Sequence, residues 1–312
     1  MHQTCKITSL FFLLAFHLSN VVAQEEDYTW WNQKHNWDGV THWSRYMIVS
    51  PGYMGPNALP VPDITNGWTG RHSFVEAGGD VYFSPGDKTQ DFLTRFYYVF
   101  PENLVAFEVF FIPYEHYRMT PETRDERMAR GLSGEGSTTG DVNIATHIQL
   151  LSKRSRLPDV LFSANFKTAS GGNFSDARYT DAMGYHFALS AGKNFFSDEA
   201  GQKTLRPYFM VGFYAWQTYR TDNFQNDAFL FGAGLDLQTE NWLINGQFGG
   251  YSGYHGNGDK PMVIRMTSER KFRRFILKFR LQQDIRDMDY TSVSLSLKYL
   301  MRVPGHKSQI AE

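Results

Sequence analysis

The residues best suited to chemistry lie far apart in this chain, so any site they form must be assembled by the fold. His147 carries the imidazole of a general base, Asn143 stands four positions before it, and Ser163 and Ser190 offer hydroxyls on later stretches. Brought within hydrogen-bond reach, a nucleophile, a base and an orienting group do acyl transfer. No Gly-x-Ser-x-Gly elbow is present to hold such a serine. A larger set is charged or polar without forming a motif: His72, Glu76, Asp80, Arg95, Glu108, Asn143, His147, Gln149, Lys167, His186, Arg206, Asp236, Arg265, Glu269, Arg274, Lys278 and Arg280. Both signs are mixed, as a solvated, ion-paired interior requires. The same mixture could line a selective path, and Arg274, Lys278 and Arg280 share one side of a single stretch, a local attraction for anions. Metal signals are thin. Asp176, Asp181, Asp284, Asp287 and Asp289 could gather calcium only if separate loops met, and no EF-hand spacing occurs. Gly131 to Gly136 lacks the Lys-Ser/Thr of a phosphate loop. No cofactor is expected.

What must position these residues is a set of strands. From about Phe74 onward the apolar period is two. Val142, Ile144, Thr146, Ile148 and Leu150 oppose Asp141, Asn143, His147 and Gln149; Val293, Leu295, Leu297 and Tyr299 oppose Ser292, Ser294, Ser296 and Lys298. Twelve such runs lie near 72–84, 89–100, 103–113, 140–151, 158–168, 185–195, 205–218, 227–238, 242–252, 261–269, 272–283 and 290–301. Their connections alternate between short and long, the longest being about 114–139 and 169–184. Tight turns at one end and larger loops at the other are the habit of an outer-membrane barrel. An even strand count puts both chain ends on the periplasmic side. Aromatics at the run ends (Tyr98, Phe100, Phe195, Phe196, Trp216, Tyr219, Trp242, Tyr251 and Tyr299) fit interfacial girdles. A secreted β-sandwich would bury the same faces, but has no reason to sort its loops by length.

Composition agrees. The 312 residues carry a net charge of -1, which argues against a nucleic-acid partner. The mean hydropathy is -0.42, and no apolar run reaches the ~18 residues of a membrane helix. Barrel strands escape that test, because alternation averages to polar. One cysteine, Cys5, leaves no disulfide framework. Lys6, the apolar stretch Leu10 to Phe16 and the small residues before Gln24 read as a cleaved signal peptide.

The expected class is all-β: a single antiparallel transmembrane β-barrel of about 12 strands with an aromatic-rich, non-barrel N-terminal segment. The parts are a signal peptide (1–23), a Trp/Pro-rich segment (24–70), the barrel (71–302) and a C-terminal tail (303–312). The second part holds Trp30, Trp31, Trp37, Trp43 and Trp68, which must cover something. It reads as a plug in the lumen or as a segment on the periplasmic rim, with a short helix from Asp38 to Val49.

Part of the chain resembles the channel-like family named for the MetA pathway of phenol degradation. The residues carrying the likeness are Gly140-Asp-Val142, Pro158-Asp-Val-Leu161 and Lys167-Thr-Ala-Ser-Gly171, within about thirty residues. The closing motif departs from that family's more frequent Pro-Thr-Gly. The resemblance implies an outer-membrane barrel taking up small hydrophobic or aromatic compounds. The expectation is an outer-membrane channel or uptake pore, with outer-membrane lipid and a small-molecule solute as partners and the oligomeric state open. The alternatives are a lipid hydrolase of twelve-strand barrel type and a structural or adhesive barrel.

Overall fold

A computed structural model describes residues 27–152, 157–197 and 203–301. The signal peptide and the C-terminal tail lie outside the described residues. The chain divides into two units, one ending at Val40 and one beginning at Thr41. In the first, helix α1 (Thr29–Lys34) holds a buried Trp31, whose ring centroid lies 5.2 Å from that of His35. The helix expected over Asp38–Val49 is not formed. Asp38 Oδ1 instead accepts from Val40 N, a local turn that competes with helix, and only a 3-10 turn, Trp43–Arg45, follows.

The second unit is a closed antiparallel barrel. Its strands are β1 (Phe74–Phe83), β2 (Asp87–Val99), β3 (Val105–Met119), β5 (Asn143–Leu151), β6 (Asp159–Lys167), β7 (Gly184–Gly192), β9 (Thr204–Gln217), β10 (Gln225–Gln238), β11 (Trp242–Ser252), β12 (Met262–Phe272), β13 (Phe275–Arg286) and β14 (Thr291–Leu300). Each of the twelve pairs with its neighbours along the chain, and β14 closes on β1 with Phe74 opposite Leu300. Two short strands are additions: β4 (Glu135–Thr138) pairs with β3, and β8 (Phe196–Ser197) with β9. The segment 114–139 is therefore not a plain loop. β3 runs on to Met119, helix α2 (Pro121–Glu126) starts at a Thr120 cap, and β4 returns along β3.

Alternation sorts the side chains. Phe209, Phe229, Ile244, Phe279 and Leu295 point out and stay exposed, while Tyr208, Leu230, Asn245, Lys278 and Ser296 are buried inside. A closed sheet with an apolar outer face and satisfied backbone is stable in hydrocarbon, where an open edge is not. Phe100, Phe195, Trp242 and Tyr299 are exposed near strand ends. Trp216 and Tyr251 do not join that girdle. They share the inward face with Tyr214 and are completely buried, because strand parity, not aromatic character, decides the side.

Arg274 is also placed differently from its expected position. It lies in the two-residue turn between β12 and β13, one residue before the alternating strand begins.

Candidate functional site

The lumen is the candidate site, and it is not empty of chain. Val49 O accepts from Trp216 Nε1 at one end of the barrel, and Gly52 N donates to Gly258 O in the loop between β11 and β12. Twenty-one residues after Gly52, Ser73 O accepts from Met301 N at the opposite end, beside the start of β1. Between these points the residues from Met54 to Thr69 cross the lumen. Three prolines, Pro56, Pro60 and Pro62, keep this stretch out of helix, and it adds no strand to the sheet.

One side of the crossing segment is apolar. Met47, Val49, Met54, Leu59, Val61 and Ile64 pack with Tyr208, Met210, Tyr214, Trp216, Leu230, Tyr251 and Val263 from β9 to β12. Gly232 and Gly249 leave a notch for Ile64: a Cβ at Gly249 would lie 2.6 Å from its Cδ1. The rest of the segment is held by polar contacts. Asn57 Nδ2 donates to Asp91 Oδ2 at 2.8 Å and to Glu115 Oε2 at 2.9 Å. Thr65 donates to Ser190 Oγ, and Asn66 to Asp236 Oδ2, at 2.7 and 2.8 Å. Arg206 Nε reaches Asn66 O at 3.0 Å, and Gln149 accepts from Thr69 N and donates to Gly67 O.

Asp63 is met by a ring of cations. Arg280 Nη1 lies 2.9 Å from its Oδ1, Arg95 Nη2 3.6 Å from its Oδ2 and Arg265 Nη1 3.8 Å from its Oδ1. Arg265 also donates to the carbonyls of Val61 and Pro62. Beside this group, Lys278 pairs with the fully buried Glu76 at 3.0 Å, and Arg95 with Glu108 at 3.3 Å. Lys298 pairs with Glu269 and Lys167 with Asp141. Charges in a low-dielectric interior persist only when compensated in this way.

His147 sits in a hydrogen-bonded row. Its Nδ1 lies 2.9 Å from Ser163 Oγ and its Nε2 3.0 Å from Glu108 Oε2. The orienting partner is thus Glu108 rather than Asn143, whose amide donates to Asp141 O. Ser190 is elsewhere, accepting from Thr65. Chemically the row can shift a proton from serine towards a carboxylate, and it faces the lumen.

The end of the barrel near Val49 is closed by a second buried cluster. Arg178, between β6 and β7, reaches Asp87 at 2.6 Å, Glu115 at 2.8 Å and Thr89 at 2.8 Å. Arg127 and Tyr290 both donate to the same Asp87 carboxylate. Tyr179 donates to Glu115 Oε2 at 2.8 Å. The crossing segment passes beneath: Gly55 N donates to Ala177 O, and a Cβ at Gly55 would lie 2.7 Å from Arg178 Cζ.

A cavity of about 530 Å³ remains between the crossing segment and the barrel wall. Most of the residues singled out by alternation gather around this space or touch the segment, while Glu76 is buried behind Lys278. His72, Asp80, Arg95, Glu108, Asn143, His147, Lys167, His186, Asp236, Arg265, Glu269, Lys278 and Arg280 border the cavity, with Trp68 from the segment itself. Gln149 and Arg206 contact the segment. Arg274 does neither. Trp43 lies 5.5 Å from the ring of Phe174 and under Arg130; Trp30, Trp31 and Trp37 belong to the first unit. Sequence reasoning missed Asp63, Asn57, Asn66 and Arg178. Only the proline spacing around Asp63 hinted at an extended path.

Comparison with solved structures bears on the fold. The chain is similar to an outer-membrane channel from Pseudomonas putida F1 with a TM-score of 0.52 and 10% identity, over 77% of this chain and 100% of that one. It also matches the CymD monoaromatic hydrocarbon channel (TM-score 0.39, 10% identity, 83% and 99% covered). A third match is the transport unit of the autotransporter AIDA-I from Escherichia coli (TM-score 0.49, 8% identity, 81% and 99%). No family model matches the sequence, and no curated protein matches it. At these identities the likeness is one of fold alone, a closed antiparallel β-barrel, here of twelve strands.

Proposed function

We propose that this protein is an outer-membrane channel for small solutes, with the segment from Met54 to Thr69 as a plug. The observation that carries this reading is a closed barrel whose polar wall borders a cavity of about 530 Å³ beside a chain segment that belongs to no strand. Eight strands leave room for side chains alone and sixteen leave a water channel, so twelve give a lumen that one extended chain can obstruct. The plug's greasy side rests on β9 to β12. The path for solute runs along the opposite, charged wall from β13 through β14 and β1 to β6. The resemblance described above favours solutes with a small apolar or aromatic body, and Phe74, Tyr97 and Phe110 offer such a body a surface within the cavity. The signal-like N-terminus supports export, and the apolar outer face supports residence in lipid.

Purified protein in planar bilayers is expected to pass little current as it stands and more when plug contacts are cut. Asp63→Asn combined with Ile64→Ala is the direct variant. Silence from both proteins, with the heat-dependent gel mobility of a closed barrel retained, removes the channel reading and leaves the fold.

Hydrolysis is a second reading because of the Ser163–His147–Glu108 row. It predicts labelling of Ser163 by a fluorophosphonate, lost in His147→Ala. An unlabelled Ser163 leaves the row as a structural tie between β3, β5 and β6.

A further inference from the structure

Among the described residues, Asp63 is the one acid within ion-pair distance of Arg280 and of Arg265. The neighbouring ion pairs join strand to strand: Lys278 to Glu76, Lys298 to Glu269, Arg95 to Glu108. The carboxylate facing Arg265 and Arg280 is different in kind, because the crossing segment delivers it. Were the segment to move, the buried Arg265 guanidinium and the half-buried Arg280 guanidinium would be left without a carboxylate. Removing one partner from a buried charge pair is strongly unfavourable. A mobile carboxylate would relieve that cost, and guanidinium groups suit carboxylates by shape as well as charge.

We propose that Arg265 and Arg280, with Arg95 beside them, form a carboxylate-binding site in the lumen. Asp63 occupies it as a tethered stand-in, and a small solute carboxylate with an apolar body takes its place. Access is built in, since Asp63 and all three arginines border the cavity. Leu93, Tyr97, Phe110 and Ile112 border it too, and Arg95 lies 5.2 Å from the centre of the Phe110 ring. A cavity of about 530 Å³ falls within the range that holds a small organic molecule. A tethered group acts at high effective concentration, so the solute must compete with it. Occupancy by solute and seating of the plug then exclude each other, which couples the solute to opening. The idea rests on the channel reading for its purpose, but binding can be read without any current.

The experiment is equilibrium dialysis of labelled benzoate, with benzyl alcohol as its uncharged counterpart, against the detergent-solubilised full chain. Asp63→Asn is expected to bind benzoate about tenfold tighter than the unaltered protein, because the internal competitor is gone. Benzyl alcohol should show no such gain, and Arg280→Gln added to Asp63→Asn should abolish it. No gain in Asp63→Asn, or an equal gain for benzyl alcohol, overturns the proposal. Should Asp63→Asn fail to fold, the unaltered protein is compared with Arg280→Gln at high benzoate; equal binding overturns it, and binding only with Arg280 intact supports it. Bilayer recordings separate the two ideas. A variant that binds benzoate in a barrel without current sinks the channel and keeps the site, whereas a conducting variant without the gain does the reverse.

Discussion

Tyr179 shows how much a single hydroxyl can hold. It lies between β6 and β7, outside the spanning strands, and burial together with the adjacent Glu115 carboxylate pushes its ionisation well above the usual tyrosine value. The fold binds the protonated form. Its contribution is therefore complete below the ordinary value of about 10 and drains away as pH rises towards the raised native one. An ultraviolet tyrosinate titration should lose one late-ionising group in Tyr179→Phe; an unchanged late phase would refute the assignment. Arg178 beside it is held charged by Glu115 and Asp87 against the opposing effect of burial. Arg178→Gln leaves both acids short of a partner and is expected to cost about 3 kcal/mol. A lower temperature for the heat-induced gel shift is the readout, and an unshifted transition would mean that Arg127 compensates.

At the scale of elements, the apolar ridge of the crossing segment meets a wall shaped to receive it. Ile64 fills the notch left by Gly232 and Gly249, so Ile64→Ala should weaken seating by about 2–4 kcal/mol. Gly249→Ala attacks the same contact from the barrel side, since the added methyl has 2.6 Å where ordinary contact needs far more. Both substitutions should raise bilayer current; a rise in one and not the other would mean the notch is not what seats the ridge. The strands themselves were legible because each has one apolar outer face, and period two survives any local irregularity. Thus Val293 to Tyr299 declare β14 without help. The interior was half legible. Glu76, Arg95, Lys278 and Arg280 announce an inward face, yet nothing in their spacing says that Lys278 meets Glu76 across β14. Asp63 escaped because a segment without period gives no face to read. Trp216 and Tyr251 misled for a related reason: an aromatic at a strand end serves a girdle or a core according to parity alone.

For the whole molecule, the division of the lumen into a greasy half and a charged half is what would let the proposed plug and path share one narrow barrel. The charged half should also confer ionic-strength dependence. Seating through Asp63 depends on ion pairs that border a water-accessible space, so bilayer current of the unaltered protein is expected to rise faster than bulk conductivity as salt is raised. Strict proportionality would show that the ion pairs do not govern opening.

The pairing of the first strand with the last has a consequence for how the molecule comes into being. Residues 49–73 precede β1, enter at one mouth of the lumen and leave at the other, and β14 is the final piece of the circle. Either the sheet curls around this stretch and seals afterwards, or the finished ring is threaded. A stably folded cargo joined ahead of Thr41 tells them apart: wrapping accommodates it outside the mouth, while threading leaves a ring that never receives its thread.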